Sequence, residues 1–177
     1  MNLFKMTAIV LCLTITISCS NDDNETTGNN EPSLLVTQAN EIERLQADFD
    51  QLRANEELVR SFYQEFFGDL KFEEAGNKYL GDEYIQHNPN VADGKEALIE
   101  GAKVWFAGKE PFEIDVRKLF ASGDLVFIHI KGRGGKYGNG TSVMDVFRVE
   151  NGKLVEHWDT MQDIPNLEDA ANEHPFF

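Results

Sequence analysis

Apolar positions along the chain change their spacing twice. They run almost unbroken from Met6 to Ile17, recur at intervals of three and four from Thr37 to about Phe106, and alternate after Pro111. In the middle stretch Ile42, Leu45, Phe49 and Leu52 form one helical face. Barely two heptads are too few to argue for a coiled coil, so a helix over 37–54 is expected to pack against the domain. A second helix is expected to begin near Asn55, with Glu56 and Glu57 favourable in its first turn. It carries Leu58, Val59, Phe62, Tyr63, Phe66 and Phe67 to a stop near Gly68. A third, short helix turns Phe72, Ala75 and Tyr79 inward. A fourth opens with a capping box of Asp93 and Glu96, buries Leu98, Ala102, Trp105 and Phe106, and ends by Gly108. Between the last two, "GDEYIQHNPNVADG" reads as a loop, because proline, asparagines and glycine interrupt any period.

The alternating runs "FEIDVRKLFAS", "DLVFIHIKGR", "TSVMDVFRVE" and "KLVEHWDTMQ" predict strands. The last two are joined by an Asn151-Gly152 hairpin turn. Helices followed by a meander of strands predict an α+β domain, with helices on one face of an antiparallel sheet. The glycine-rich "GRGGKYGNG" joins strand to strand and lacks the lysine placement of a phosphate loop, so it reads as a long hairpin loop. After Pro165 the tail is acidic and polar apart from Phe176 and Phe177, which either close over the sheet or fray.

The N-terminal run changes the picture of where the domain works. Lys5, the apolar segment and the small residues before Cys19 have the layout of a secretory signal over 1–18. "TISC" resembles a bacterial lipobox, which makes Cys19 the lipidation site. The polar, acidic segment over 19–36 suits a solvated tether, because it has too little apolar surface to fold. The expectation is a lipid-anchored protein of the bacterial cell envelope, on its periplasmic face or at the cell surface. Cleavage before Cys19 would remove Cys12, leaving no thiol for a disulfide, a metal or catalysis. With 16 basic and 31 acidic side chains the net charge is −15, which argues against nucleic acid as a partner.

Asp145 is the oddest residue in the strands, since it falls in register with Val143, Phe147 and Val149. A buried carboxylate must be paired, hydrogen-bonded or protonated. Desolvation raises its pKa and makes it a usable proton acceptor near neutrality. In "DLVFIHIK" both faces are apolar, Leu125, Phe127 and His129 on one and Val126, Ile128 and Ile130 on the other. If the first of these meets the Asp145 face, His129 and Asp145 are cross-strand neighbours. Either a catalytic pair or a structural ion pair, with Arg148 as another partner for Asp145, fits this pattern. His157 and Trp158 point to opposite faces, and Trp158, with its broad apolar ring, is expected beside Asp145 as a pocket wall, with Glu156 on its side of the strand. His87, with Tyr84, Gln86 and Asn88, supplies hydrogen-bonding groups from the loop. His87, His129, His157 and Asp145 offer zinc-binding atoms but none of the usual spacings, so no metal and no cofactor is expected.

The succession "YIQHNP", "DG" before a helix, "VFIHI", "VMDVFRVENGKLVEHWD" and "MQDIP" resembles the SnoaL-like polyketide cyclase group of the nuclear transport factor two-like superfamily, over about residues 55–165. The resemblance implies a cone-shaped fold in which a curved antiparallel sheet wraps around helices and encloses an apolar pocket. It implies a strand aspartate, here Asp145, as acid/base in aldol chemistry, with a strand histidine, here His129, nearby. His87, Tyr84, Trp105, Phe127 and Trp158 then become candidate substrate-binding residues. An exported chain would not meet the substrates of cytosolic cyclases. The expected partner is therefore a small apolar carbonyl compound, handled by an aldol or isomerase-type proton transfer. The alternatives are a ligand-binding lipoprotein without catalysis, or an interaction domain that forms a homodimer through the convex sheet face.

Overall fold

The computed structural model describes residues 34–174 and 176–177. The signal segment, Cys19 and the tether as far as residue 33 lie outside the described residues. The elements run α1 (Leu34–Tyr63), a π-helical turn (Gln64–Gly68), α2 (Phe72–Tyr79), β1 (Leu80–Gln86), α3 (Lys95–Trp105), β2 (Asp115–Ser122), β3 (Leu125–Gly132), β4 (Thr141–Glu150) and β5 (Lys153–Asp163), with a 3-10 turn at Leu167–Asp169.

Helix α1 corrects three expectations. It is one helix of 30 residues, it includes the last three residues assigned to the tether, and its first half does not pack on the domain, since every residue from Leu34 to Gln51 is exposed. Asn55 does not cap a new helix. It is buried, accepts a hydrogen bond from Gln51 and donates its Nδ2 to the carbonyl of Gly123 in the β2–β3 turn, 3.2 Å away. A polar side chain that looks like a helix start in sequence is here the point where the helix enters the domain. Beyond it Val59, Phe62 and Phe66 face the sheet and meet Val126, Ile128, Phe147 and Leu154 in the core. Phe62 and Phe147 pack edge to face, centroids 5.8 Å apart, an arrangement favoured by the ring quadrupoles. At the π turn Gln64 donates to the Phe112 carbonyl and accepts from the Ile114 N–H, so the wider turn anchors the chain entering β2.

The sheet order is β1-β5-β4-β3-β2, with β1 parallel to β5 and the other pairs antiparallel. The sheet is therefore mixed rather than wholly antiparallel, and residues 80–86, all but the first expected in a loop, form one of its edge strands. Its burial does not alternate, because Leu80, Gly81 and Tyr84 are all buried, which hides the strand from a period-two reading. Gly81 permits the pairing, since a Cβ there would lie 2.9 Å from Val155 Cγ1. The expected capping box at α3 does not form either. Gly94 is the cap residue, and Asp93 instead accepts the N–H of Gln86.

One irregularity in the β4–β5 hairpin sets the site. Asn151 and Gly152 both have positive φ, 51° and 72°, as a tight two-residue hairpin turn requires. Counting outward from Glu150↔Lys153 and Val149↔Leu154 without a break would set Trp158 opposite Asp145. The register instead shifts between Arg148 and Val149, Arg148 pairs with Glu156, and the extra residue Val155 forms a bulge. Beyond it Phe147 pairs with His157 and Asp145 with Asp159. A one-residue slip exchanges the two faces of the strand. His157 and Asp159 therefore face inward, and Trp158 faces out.

Candidate active site

The inner faces of β1, β4 and β5, together with α3 and the segment after it, line a cavity of about 700 Å³. Its walls are mainly aromatic and aliphatic, with Phe62, Phe67, Trp105, Phe106, Phe112 and Val143 among them. One end is polar, where Tyr84, Gln86, Asn88, Asp145, His157 and Asp159 converge. A volume of this size, apolar with a few convergent polar groups, is what a small-molecule site requires.

Asp145 is 3% exposed. Burial pushes its carboxyl above the ordinary 3.8, the neighbouring His157 opposes that shift, and the like charge of Asp159 across the strand pair adds to it. His157 Nε2 stands 3.6 Å from Asp145 Oδ1, beyond hydrogen-bond length but within ion-pair reach. The imidazole is held from two sides. Its ring lies between Phe147, 4.6 Å away at 21°, and Tyr84, 6.2 Å away at 16°. Its Nδ1 is 3.0 Å from Gln86 Oε1. That amide atom also accepts the Asn88 N–H at 2.9 Å, which identifies it as oxygen, so Nδ1 carries the hydrogen. In the neutral ring Nε2 is then an unprotonated acceptor turned toward Asp145. The two groups can share one proton, the arrangement that keeps a buried carboxyl neutral until a base removes its hydrogen.

Asp159, half-buried, is steadied by Asn88 Nδ2, 2.8 Å from both carboxylate oxygens. Three buried polar atoms at this end, Tyr84 Oη, Asp145 Oδ1 and His157 Nε2, have no hydrogen-bond partner among the described residues. Tyr84 is held far above the usual phenol range by burial, with Asp159 adding to it, so its hydroxyl stays a donor. Unsatisfied buried groups are costly in a structure that uses none of them. Together a donor, a carboxyl and an imidazole suit a ligand oxygen and its neighbouring C–H. Asp145, His157 and Asp159 also bring ligand atoms within 4.8 Å of one another, so among the described residues this trio could hold a divalent cation.

Of the residues chosen from sequence, Asp145, Tyr84 and Trp105 line the cavity, and His129, Phe127, Trp158 and His87 do not. His129 is the main correction. It pairs with Met144, while Ile128 is the residue opposite Asp145, so His129 and Asp145 lie on opposite faces of the sheet. On the outer face His129 Nε2 is 2.7 Å from Ser142 Oγ, and the Phe177 ring packs on it at 4.9 Å. Burial, then Lys118 and Arg117, lower its pKa, so it is held neutral. Phe127 stacks on Phe120 on that same outer side. Trp158 stacks on His87 at 4.7 Å and 6°, and His87 bonds to Glu156, which also holds Arg148 at 2.7 Å. Glu156 thus stands on the Trp158 side as expected, and Arg148 is paired there instead of with Asp145. His157 and Asp159 were missed as site residues. Their spacing of two, with Asp145 in the facing strand, was a usable signal, but the bulge that turns them inward has no signature in "GKLVEHW".

Helices held within a curved mixed sheet around a largely apolar cavity, with a buried carboxyl at its polar end, define a cone-shaped pocket fold of the nuclear transport factor two-like kind. The chain belongs to the SnoaL-like polyketide cyclase family, whose model matches residues 57–169. Solved structures agree on the fold. A candidate SnoaL-like polyketide cyclase from a Jannaschia species is 18% identical, covering 62% of this chain and 86% of its own, with a TM-score of 0.53. A candidate ketosteroid isomerase from Kribbella flavida is 14% identical over 70% of this chain and 92% of its own, TM-score 0.54. A protein of unknown function and nuclear transport factor two-like fold from Burkholderia xenovorans is 14% identical over 70% and 97%, TM-score 0.54. Comparison with curated proteins found no match.

Proposed function

We propose that the protein binds a small, mainly apolar carbonyl compound in this cavity and moves a proton α to the carbonyl, with Asp145 as the acid/base. The observation that carries the reading is the raised, buried Asp145 carboxyl at the polar end of the apolar cavity. Tyr84 Oη is positioned to donate to the carbonyl oxygen, where charge develops as the proton leaves. His157, and not the His129 expected from sequence, is the histidine beside Asp145, and it holds or accepts the proton of Asp145. Aldol closure and isomerisation both begin with that step. The family match and the fold shared with a candidate ketosteroid isomerase support small-molecule chemistry of this type.

The test is uptake of deuterium from D2O at the α-carbon of apolar cyclic ketones, followed by NMR. Wild type should catalyse it, and Asp145→Asn should lower the rate by about 10²–10⁴-fold, the usual contribution of a general acid/base, while ketone affinity stays within a few-fold. Binding without exchange in wild type would sink the catalytic reading and leave a binding protein. We further propose that the mature chain is exported and lipidated at Cys19. Incorporation of an alkyne fatty acid into wild type but not into Cys19→Ala tests this, and equal labelling of the two would refute it.

A further inference from the structure

We infer that the first half of α1 forms a parallel two-stranded coiled coil with a second copy of this chain. Leu35, Ile42, Leu45 and Phe49 are 68%, 66%, 52% and 54% exposed, although they share one face of a helix that continues into the domain core. At about 1.5 Å per residue the exposed stretch from Leu34 to Gln51 runs for about 27 Å. A helix of that length is marginal in water without a packed face, and the face that carries Ile42, Leu45 and Phe49 is exposed.

Its pattern is a heptad. With Leu35, Ile42 and Phe49 at a positions, the d positions are Gln38, Leu45 and Leu52. The e and g positions then decide the orientation. In a parallel pair Asp48 at g faces Arg53 at e of the second copy, and Glu41 faces Gln46. In an antiparallel pair the g positions meet one another and set acid against acid, Glu41 with Asp48. Gln38 is a single polar layer in an otherwise apolar seam, a device that fixes register.

The seam and the side that enters the domain, at Val59 and Phe62, lie about a quarter turn apart around the helix axis. The two domains can therefore sit beside the coil, neither between its strands nor against each other. A parallel pair also puts both N-terminal ends of α1 on the same side, as the proposed lipid anchoring of two copies in one membrane requires.

Oxidative crosslinking of the detergent-solubilised full chain tests the inference, with Cys12→Ser and Cys19→Ser as background. Leu35→Cys and Leu52→Cys should each give covalent dimers on their own, and Asn40→Cys, on the outer side of the helix, should not. Ile42→Asp should lower the dimer fraction in sedimentation by about tenfold or more at equal concentration, with the near-ultraviolet spectrum of the domain unchanged. Crosslinks formed only when the Leu35→Cys and Leu52→Cys chains are mixed would mean an antiparallel pair and overturn the proposal. A monomer with no crosslink at any position, or a dimer that survives Ile42→Asp undiminished, would overturn it too. None of these readouts depends on catalysis, so the coil and the proton transfer stand or fall separately.

Discussion

Two histidines separate the site from its surroundings. His157, beside Asp145, should matter for proton transfer, whereas His129, on the outer face, should matter only for packing. His157→Gln is expected to lower the exchange rate by about 10²-fold or more. His129→Gln should leave the rate near wild type while lowering the melting temperature, because it opens the buried contact with Ser142. Asp145 also links function to stability. Its folded pKa is raised, so between 3.8 and that higher value the folded state holds more protons than the unfolded one, and stability falls as pH rises through the window. Asp145→Asn removes this cost. Thermal unfolding should show the variant gaining stability over wild type at pH 7 and losing that advantage below about pH 4, where the acid is protonated in both states. Because the proposed step moves a proton and calls on no cation, EDTA should leave exchange unchanged, and Zn²⁺ should inhibit it by occupying Asp145, His157 and Asp159.

At the scale of elements, strands β2 to β5, helices α2 and α3 and the Asn151-Gly152 turn were legible, because each carries its own period or turn residues. Asp145 was legible for the same reason, as a charge on an apolar register. What failed were relations between elements. "LGDEYIQ" lacks alternation because its edge strand packs through a glycine and buries neighbours on both sides, and "DLVFIHIK" is apolar on both faces, so alternation could not say which face met Asp145. The Val155 bulge reversed the choice between Trp158 and His157. Gly152→Ala forces a side chain into left-handed backbone at the turn that sets this register, and should cost about 1–2 kcal/mol in urea denaturation. Phe147→Ala, which empties a fully buried position against Phe62 and His157, should cost about 3–5 kcal/mol. It should also slow exchange, since the imidazole loses one of its two supporting rings.

In the whole molecule a pocket domain is joined to a projecting helix. The cavity has the size and lining that suit a small ligand, and α1 leads away from the domain. The proposed chemistry rests on the protonation of one carboxyl. The most direct check is a carbon-13 NMR titration of the aspartate carboxyls, with the Asp145 signal assigned by its loss in Asp145→Asn. Asp145 is predicted to titrate above 3.8, and to move toward lower pH when Asp159→Asn removes the facing carboxylate. An Asp145 signal that titrates at or below 3.8 in the folded protein would contradict the account.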